Sequence, residues 1–397
     1  MNIWIINHHA LTPDMGGGTR HYDFAQELQK RGHSVTIFAS SFHYANYCEM
    51  KEYGKQNYIN ESINGVDFIW FKTPPYSHNG LARVKNMLAF MRAVLKFDKK
   101  RLPKPDVIIG SSVHLFAVYA AYRLSQKYNV PFVFEVRDLW PQTLIDMGMS
   151  RFHPFVISQA LLERFLYKRA DHIITLLPKA DQYIEKFGIK KDAITWISNG
   201  TKLRKNSEKK ELFKNSKFNI VYAGSMGKAN DLEKLIAAAK ILEDKKNIHF
   251  TLIGSGAQKE KLKSMASQNV TFVDALPKEE LFDYLQAADL LYVGLQNLPL
   301  YRFGMSMNKV FDYMSVKKPI LFVGDIEPNI IEIAGAGITL KEADSVEVAK
   351  RIEQLSKTDK QILLEYGVNG YNYLVKNFTI EVLCDKLEKV LYKVLKR

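Results

Sequence analysis

Short apolar runs alternate with longer stretches in which apolar residues recur every three or four positions. The runs Met1–Asn7, Ser34–Ala39, Asp67–Phe71, Pro105–Gly110, Pro131–Val136 and His172–Leu176 are brief and rich in β-branched and aromatic residues, so they read as strands. Arg20–Arg31, with Phe24, Ala25 and Leu28 on one face, reads as a helix that Gly32-His33 closes. Leu115–Tyr128 and Pro154–Ala170 read as further helices, and Thr195–Gly200 as a short strand and turn. Residues 40–80 are otherwise polar and aromatic. The segment Thr201–Lys217 is rich in Lys, Glu, Asn and Ser and reads as a linker. The alternation then restarts, with strands at 218–224, 249–254, 270–273 and 290–295, a helix at 232–244 and a mostly helical stretch at 344–397. This order predicts an α/β chain of two doubly wound, Rossmann-like domains whose strand-end loops line a cleft.

The stretch Tyr301–Ile320 carries the most chemistry. It begins small, polar and basic, turns helical at Val310, Phe311 and Met314, stops at Lys317-Lys318-Pro319 and continues into the strand Ile320–Val323. Ser306, Met307, Asn308 and Lys309 fall at the helix N-terminus, where free N–H groups and the positive dipole end favour an anion. A nucleotide-sugar diphosphate fits that seat, and so does the bland alternative of a capped surface helix. Gly16, Gly17 and Gly18 lie between the first strand and its helix, where missing Cβ atoms let backbone N–H groups approach an anion. They do not form a G-x-G-x-x-G fingerprint. His114 and the cluster Glu135, Arg137 and Asp138 lie at strand C-termini, where open sheets gather ligands. The structural alternatives are a core histidine and an internal ion pair.

Composition adds bounds. At 397 residues with 47% hydrophobic content, the chain suits two globular domains. Cys48 and Cys384 are far apart and fit a reducing cytoplasm. No apolar run reaches about 18 residues, and Met1–Asn7 is too short for a signal peptide. The net charge of +14 is spread over both halves, with one dense patch. Arg83, Lys85, Arg92, Lys96, Lys99, Lys100, Arg101 and Lys104 meet only Asp98 and interleave with Met87, Leu88, Phe90, Met91, Val94, Leu95 and Phe97. Such a helix, 83–104, can lie on anionic lipid or serve as a core helix with a solvated basic face. No nucleic-acid-binding motif accompanies the charge.

The chain resembles the family-4 retaining glycosyltransferases of the GT-B fold along nearly its whole length. The matches are the Gly-rich loop with Arg31–Thr36, Glu135–Pro141 and Gly304–Met314. The last two are similar to a fucosamine-transferase-like branch that builds capsule, O-antigen or related lipid-linked saccharides. The resemblance implies an N-terminal acceptor domain at 1–200, a linker at 201–217, a nucleotide-sugar domain at 218–377 and a last helix, about 378–397, packed back on the first domain. It implies retaining, metal-independent transfer of a sugar, an N-acetylated deoxyhexosamine such as FucNAc, from a UDP-sugar to a polyprenyl-diphosphate-linked saccharide at the inner face of the plasma membrane. No cofactor is implied, and the sequence holds no Asp-x-Asp metal motif.

By the same resemblance Lys309, Asp138, Arg137 and Glu135 would form the reacting centre. Gly17, Gly18, Ser225, Lys228, Gly254, Ser255, Asp274, Ala275, Leu276, Ser306, Met307, Asn308 and Asp312 would join Lys309 in holding the donor. His114 and Arg137 would hold the acceptor. The chain also departs from the family. The first of two family glutamates is Gly304 here and the second is Asp312; a basic pair is replaced by Ser225 and Asn230; and Arg137 stands where relatives carry histidine. Lys228 and Lys309 are the charges that could stand in. A nucleotide-sugar 2-epimerase and a non-catalytic assembly subunit are the competing readings.

Overall fold

The computed structural model describes residues 1–98, 102–112, 114–204, 212–213 and 217–396. By contacts the chain divides into two compact units, Met1–Asn199 with Ile380–Arg397, and Gly200–Thr379. Among the described residues, no helix is long and apolar enough to cross a membrane.

The first unit contains β1 (Asn2–Ile6), α1 (Arg20–Lys30), β2 (Ser34–Ser40), the small hairpin β3 (Phe42–His43) and β4 (Cys48–Glu49), β5 (Tyr58–Ile63), β6 (Val66–Phe71) and α2 (Leu81–Lys96). It continues with β7 (Val107–Ser111), α3 (Leu115–Tyr128), β8 (Phe132–Val136), α4 (Gln142–Asp146), α5 (Pro154–Arg169), β9 (His172–Thr175), α6 (Asp181–Ile184) and β10 (Ile194–Trp196). Eight strands form a sheet in the order β10-β9-β8-β7-β1-β2-β6-β5. β5 alone runs antiparallel to its neighbour in this sheet. Its residues alternate exposed and half-buried, so it lacks the apolar run that marks a buried strand.

The second unit contains β11 (Phe218–Ala223), α7 (Leu232–Ile241), β12 (Ile248–Ile253), α8 (Lys259–Met265), β13 (Val270–Val273), α9 (Lys278–Ala287), β14 (Leu290–Gly294), α10 (Asn308–Ser315) and β15 (Ile320–Val323). α11 (Ile330–Ile333), β16 (Gly337–Leu340), α12 (Ser345–Ser356) and α13 (Lys360–Asn377) complete it. Its six parallel strands run β13-β12-β11-β14-β15-β16. The order reverses between β11 and β14, which places a ligand crevice at the loops that follow those two strands. Thr201, assigned above to the linker, bridges Thr379 and donates to Asp312 within this unit. Residues 205–211 and 214–216 of that segment lie outside the described residues.

The last helix, α14 (Ile380–Leu395), returns to the first unit. Arg31 Nη1 meets Asp385 Oδ1 at 2.6 Å, and His33 Nε2 meets Glu388 Oε1 at 2.8 Å. Cys384 is buried beneath them.

α5 covers the sheet of the first unit with Val156, Gln159, Glu163, Leu166 and Tyr167. Glu163 accepts hydrogen bonds from the Tyr167 and Tyr183 hydroxyls, each at 3.0 Å. Burial outweighs those bonds and pushes its carboxyl up to about 8. A carboxyl near 4.3 in the unfolded chain loses its proton earlier. The stabilisation is therefore complete below about pH 4.3 and drains away as pH rises through 8. Glu163→Gln is expected to remove this loss and raise the unfolding temperature of the first unit by several degrees at about pH 8.5. All four tryptophans, Trp4, Trp70, Trp140 and Trp196, lie in that unit, so intrinsic fluorescence reads it separately.

Candidate active site

In the second unit, the turn after β11 is clamped by glycines on both sides. A Cβ on Gly254 would come within 2.0 Å of the Gly224 carbonyl oxygen, and one on Gly294 within 2.5 Å of the Asn230 carbonyl. Met226 N–H donates to the Ser255 carbonyl at 2.7 Å. These close approaches draw 224–231 flush against the neighbouring strand ends. α10 is fixed to the same place, because the Tyr313 hydroxyl accepts from Ala223 N–H at 2.7 Å.

Lys309, on the first turn of α10, reaches into this turn. Its Nζ donates to Asn230 Oδ1 at 2.7 Å and to the Tyr222 hydroxyl at 2.9 Å, and sits 4.4 Å from the Tyr222 ring centroid. The Tyr222 hydroxyl and Asn230 Nδ2 both donate to the Ser225 carbonyl, which orients the two acceptors toward the lysine. Both acceptors are neutral. Among the described residues no carboxylate pairs with Lys309. Desolvation without a counter-charge brings its pKa down to about 7. Met307, the N-cap of α10, makes no side-chain capping hydrogen bond among the described residues. A cation lacking its anion thus stands beside an open helix N-terminus at the switch point of a parallel sheet.

The other donor-side residues are placed less uniformly. Asn308 is exposed at the head of α10, Ser306 and Met307 are half-buried before it, and Ser225 is exposed. Gly304 is buried with φ near +89°, a conformation that disfavours any side chain there. Asp312, one turn along α10, accepts at Oδ1 from Thr201 at 2.8 Å and lies 3.4 Å from Lys278 Nζ. Its Oδ2 has no partner among the described residues. Gly254 and Ser255 adjoin the Lys309 turn, whereas Asp274, Ala275 and Leu276 follow β13, the edge strand beyond β12. Asp274 is tied to Lys259 Nζ at 2.5 Å, and that bond lowers its carboxyl pKa. Lys228 is exposed and does not join Lys309. It lines a cavity of about 270 Å³ with Asp231, Glu233, Gln258 and Lys261.

In the first unit, the turn after β1 carries Gly16 at φ +74° and Gly17 at φ +92°. A Cβ on Gly17 would lie 2.9 Å from Leu11 Cδ1. Gly18 is half-buried before Thr19, the N-cap of α1. The next two residues turn inward. Arg20 Nε meets Glu135 Oε2 at 3.2 Å, and Arg20 Nη2 donates to the Ile197 carbonyl at 2.9 Å. His21 Nε2 meets Glu135 Oε1 at 2.8 Å, and Ser111 Oγ donates to the same oxygen at 2.8 Å. Burial opposes the charge on Glu135, but Arg20 and His21 outweigh it and hold the carboxyl well below the usual range.

Both oxygens of Glu135, expected above at the reacting centre, are held by these partners, and the residue is 4% exposed. Arg137 is half-buried and Asp138 exposed, just past the strand. Neither side chain has a hydrogen-bond or ion-pair partner among the described residues.

His114 is not alone at its strand end. It is fully buried as the N-cap of α3, accepting from Ala117 N–H, and its Nε2 lies 2.6 Å from His8 Nδ1. His9 stacks on His8 with ring centroids 4.4 Å apart. Burial pushes all three imidazoles down, His114 to about 3. Their nitrogens lie within 4.8 Å of one another, a spacing that could serve a metal ion. The nearby Arg83 charge and the positive end of α3 oppose a cation there. The histidines read instead as a neutral buried cluster, in which His8 and His114 share a hydrogen bond and His9 only stacks. A buried pair at 8 and 9 directly after an apolar strand was the sequence signal for it. Tyr222 had a weaker one, a phenol among the aliphatic residues Ile220, Val221 and Ala223.

In the basic stretch 83–104, Met87, Phe90 and Val94 of α2 are buried, while Leu88, Met91 and Leu95 are half-buried. Lys99, Lys100 and Arg101 lie outside the described residues.

Comparison with known proteins places these features. Residues 15–200 match the model of a glycosyl transferase 4-like domain, and residues 217–358 match that of glycosyl transferases group 1. A protein of Escherichia coli (strain K12) assigned to colanic acid biosynthesis as the glycosyl transferase WcaI is 23% identical, over 67% of this chain and 71% of its own. Among solved structures, sucrose-phosphate synthase from Thermosynechococcus elongatus superposes with a TM-score of 0.77 at 17% identity, covering 100% of this chain and 99% of that one. Anabaena Alr3699/HepE in complex with UDP-glucose gives 0.68 at 14%, covering 99% and 100%.

Proposed function

This chain belongs to the family-4 type of GT-B glycosyltransferases, and from that premise we propose that it moves a sugar from a UDP-sugar to a lipid-linked saccharide during bacterial surface polysaccharide synthesis. The observation that carries the proposal is Lys309, a desolvated lysine with neutral partners beside an open helix N-terminus. A departing nucleoside diphosphate needs cationic and amide donors already in place, and these groups supply them without a divalent ion. Gly254 and Ser255 adjoin that point, the 274–276 turn lies one strand further out, and together they suit the ribose and pyrimidine. Asp312 Oδ2 suits a ribose hydroxyl. Likeness to a colanic acid transferase supports the polysaccharide setting, and a UDP-glucose complex of a structural relative supports UDP.

Transfer proceeds with retention. The acceptor hydroxyl attacks on the face the diphosphate leaves, and a leaving phosphate oxygen takes its proton. Arg137 and Asp138, unpaired past β8, orient the sugars. The resemblance to the fucosamine-transferase-like branch favours an N-acetylated deoxyhexosamine as donor sugar. A panel of UDP-sugars offered with a synthetic polyprenyl-diphosphate saccharide, read by mass spectrometry, tests the proposal. One UDP-sugar is expected to add its mass to the acceptor. UDP release without that addition would turn the assignment toward hydrolysis or epimerisation, and absence of nucleotide binding toward a docking subunit.

A further inference from the structure

α5 is apolar on both sides. Its inner face is buried as described above. Its outer face carries Ile157, Leu161 and Phe165, exposed by 46%, 67% and 37%, at the i, i+4, i+8 spacing of a single stripe. The loop that leads into the helix also exposes Met147 and Phe152, by 70% and 72%. Scattered apolar side chains on a surface need no explanation, but a continuous row does.

The exposed charges on α5 are of one sign. Arg151, Arg164, Lys168 and Arg169 are exposed beside it. The only acid on α5, Glu163, faces inward to its two tyrosines. Arg151 lies over the Phe152 ring at 4.9 Å and Arg169 over the Phe165 ring at 5.5 Å, so the cations border the apolar row directly. The helix is about 24 Å long. An apolar stripe rimmed by cations matches an anionic lipid surface, which accepts the side chains into its acyl boundary and the charges among its headgroups.

We propose that α5 and the 147–152 loop form a membrane-docking surface for anionic lipid. On α2 the larger apolar residues Met87, Phe90 and Val94 are buried, which leaves no comparable exposed row there. The assignment goes beyond the transferase reading and does not depend on it.

Flotation of the full chain with phosphatidylcholine vesicles, with and without phosphatidylglycerol, tests the surface directly. Binding to the anionic vesicles is expected, weakened but not abolished by salt. The double variant Phe152→Ser/Leu161→Gln is expected to lower partitioning by at least about tenfold. Both sites are mostly solvent-exposed, so its unfolding temperature should match the parent. Charge reversal on α2 at Lys85 and Arg92 is expected to cost much less. Three results would overturn the proposal: no vesicle binding by the parent, equal binding by the double variant, or a concentration-dependent dimer in light scattering that the variant disperses. The last would assign the row to a second copy of the chain.

Discussion

Lys309→Ala is expected to reduce sugar transfer by at least about a thousandfold, the scale seen when a positioned donor to a developing negative charge is removed. The fold should survive. Below about pH 7 the lysine is held charged in a desolvated site with neutral partners, so its removal relieves an unfavourable burial. Unfolding temperature should stay level or rise, while the stabilisation that UDP confers on the second unit disappears. Acidity offers an independent check. The free lysine loses its proton near pH 7, and a bound diphosphate restores it. UDP binding therefore takes up a proton above pH 7, and its dissociation constant should rise by up to about tenfold per pH unit. Lys309→Arg keeps its charge and should flatten that slope in calorimetry. Near-normal turnover in the alanine variant would remove the lysine from the reaction.

Glu135→Ala is expected to act through stability instead. It leaves Arg20 and His21 buried without their anion, a loss of about 3–5 kcal/mol. Tryptophan fluorescence in denaturant should show the first unit unfolding earlier. A second substitution, Arg20→Met, should recover part of the loss, since the stranded cation goes with it. A variant as stable as the parent but devoid of transfer would return Glu135 to the reacting centre.

The contrast between these two residues shows what the sequence exposes. Strand runs such as Ile3–Ile6 and Leu290–Val293 announce themselves because parallel strands are covered on both faces. Two doubly wound α/β units could be read from that pattern alone. β5 could not, since an edge strand with polar alternation resembles a loop. Asn308 and Lys309 were visible at a helix start. Tyr222 and Asn230, which hold the lysine, lie 87 and 79 positions away and meet it only through the crossover between β11 and β14. Glu135, Arg137 and Asp138 look like one cluster in the sequence. The strand carries Glu135 into the interior to meet Arg20, 115 positions earlier, and releases the other two to its rim. Adjacency along the chain says little about the direction in which a side chain points.

The return of α14 to the first unit has a consequence for biogenesis. On a ribosome, the surface of α1 that this helix seals is made early, and its cover arrives only after the intervening 180 residues of the second unit. At ordinary elongation speeds of about 5–20 residues per second that interval is on the order of ten to forty seconds. The later-made half can finish first, while the nascent earlier half waits with an uncovered apolar seam. That seam is where chaperone demand during synthesis should concentrate.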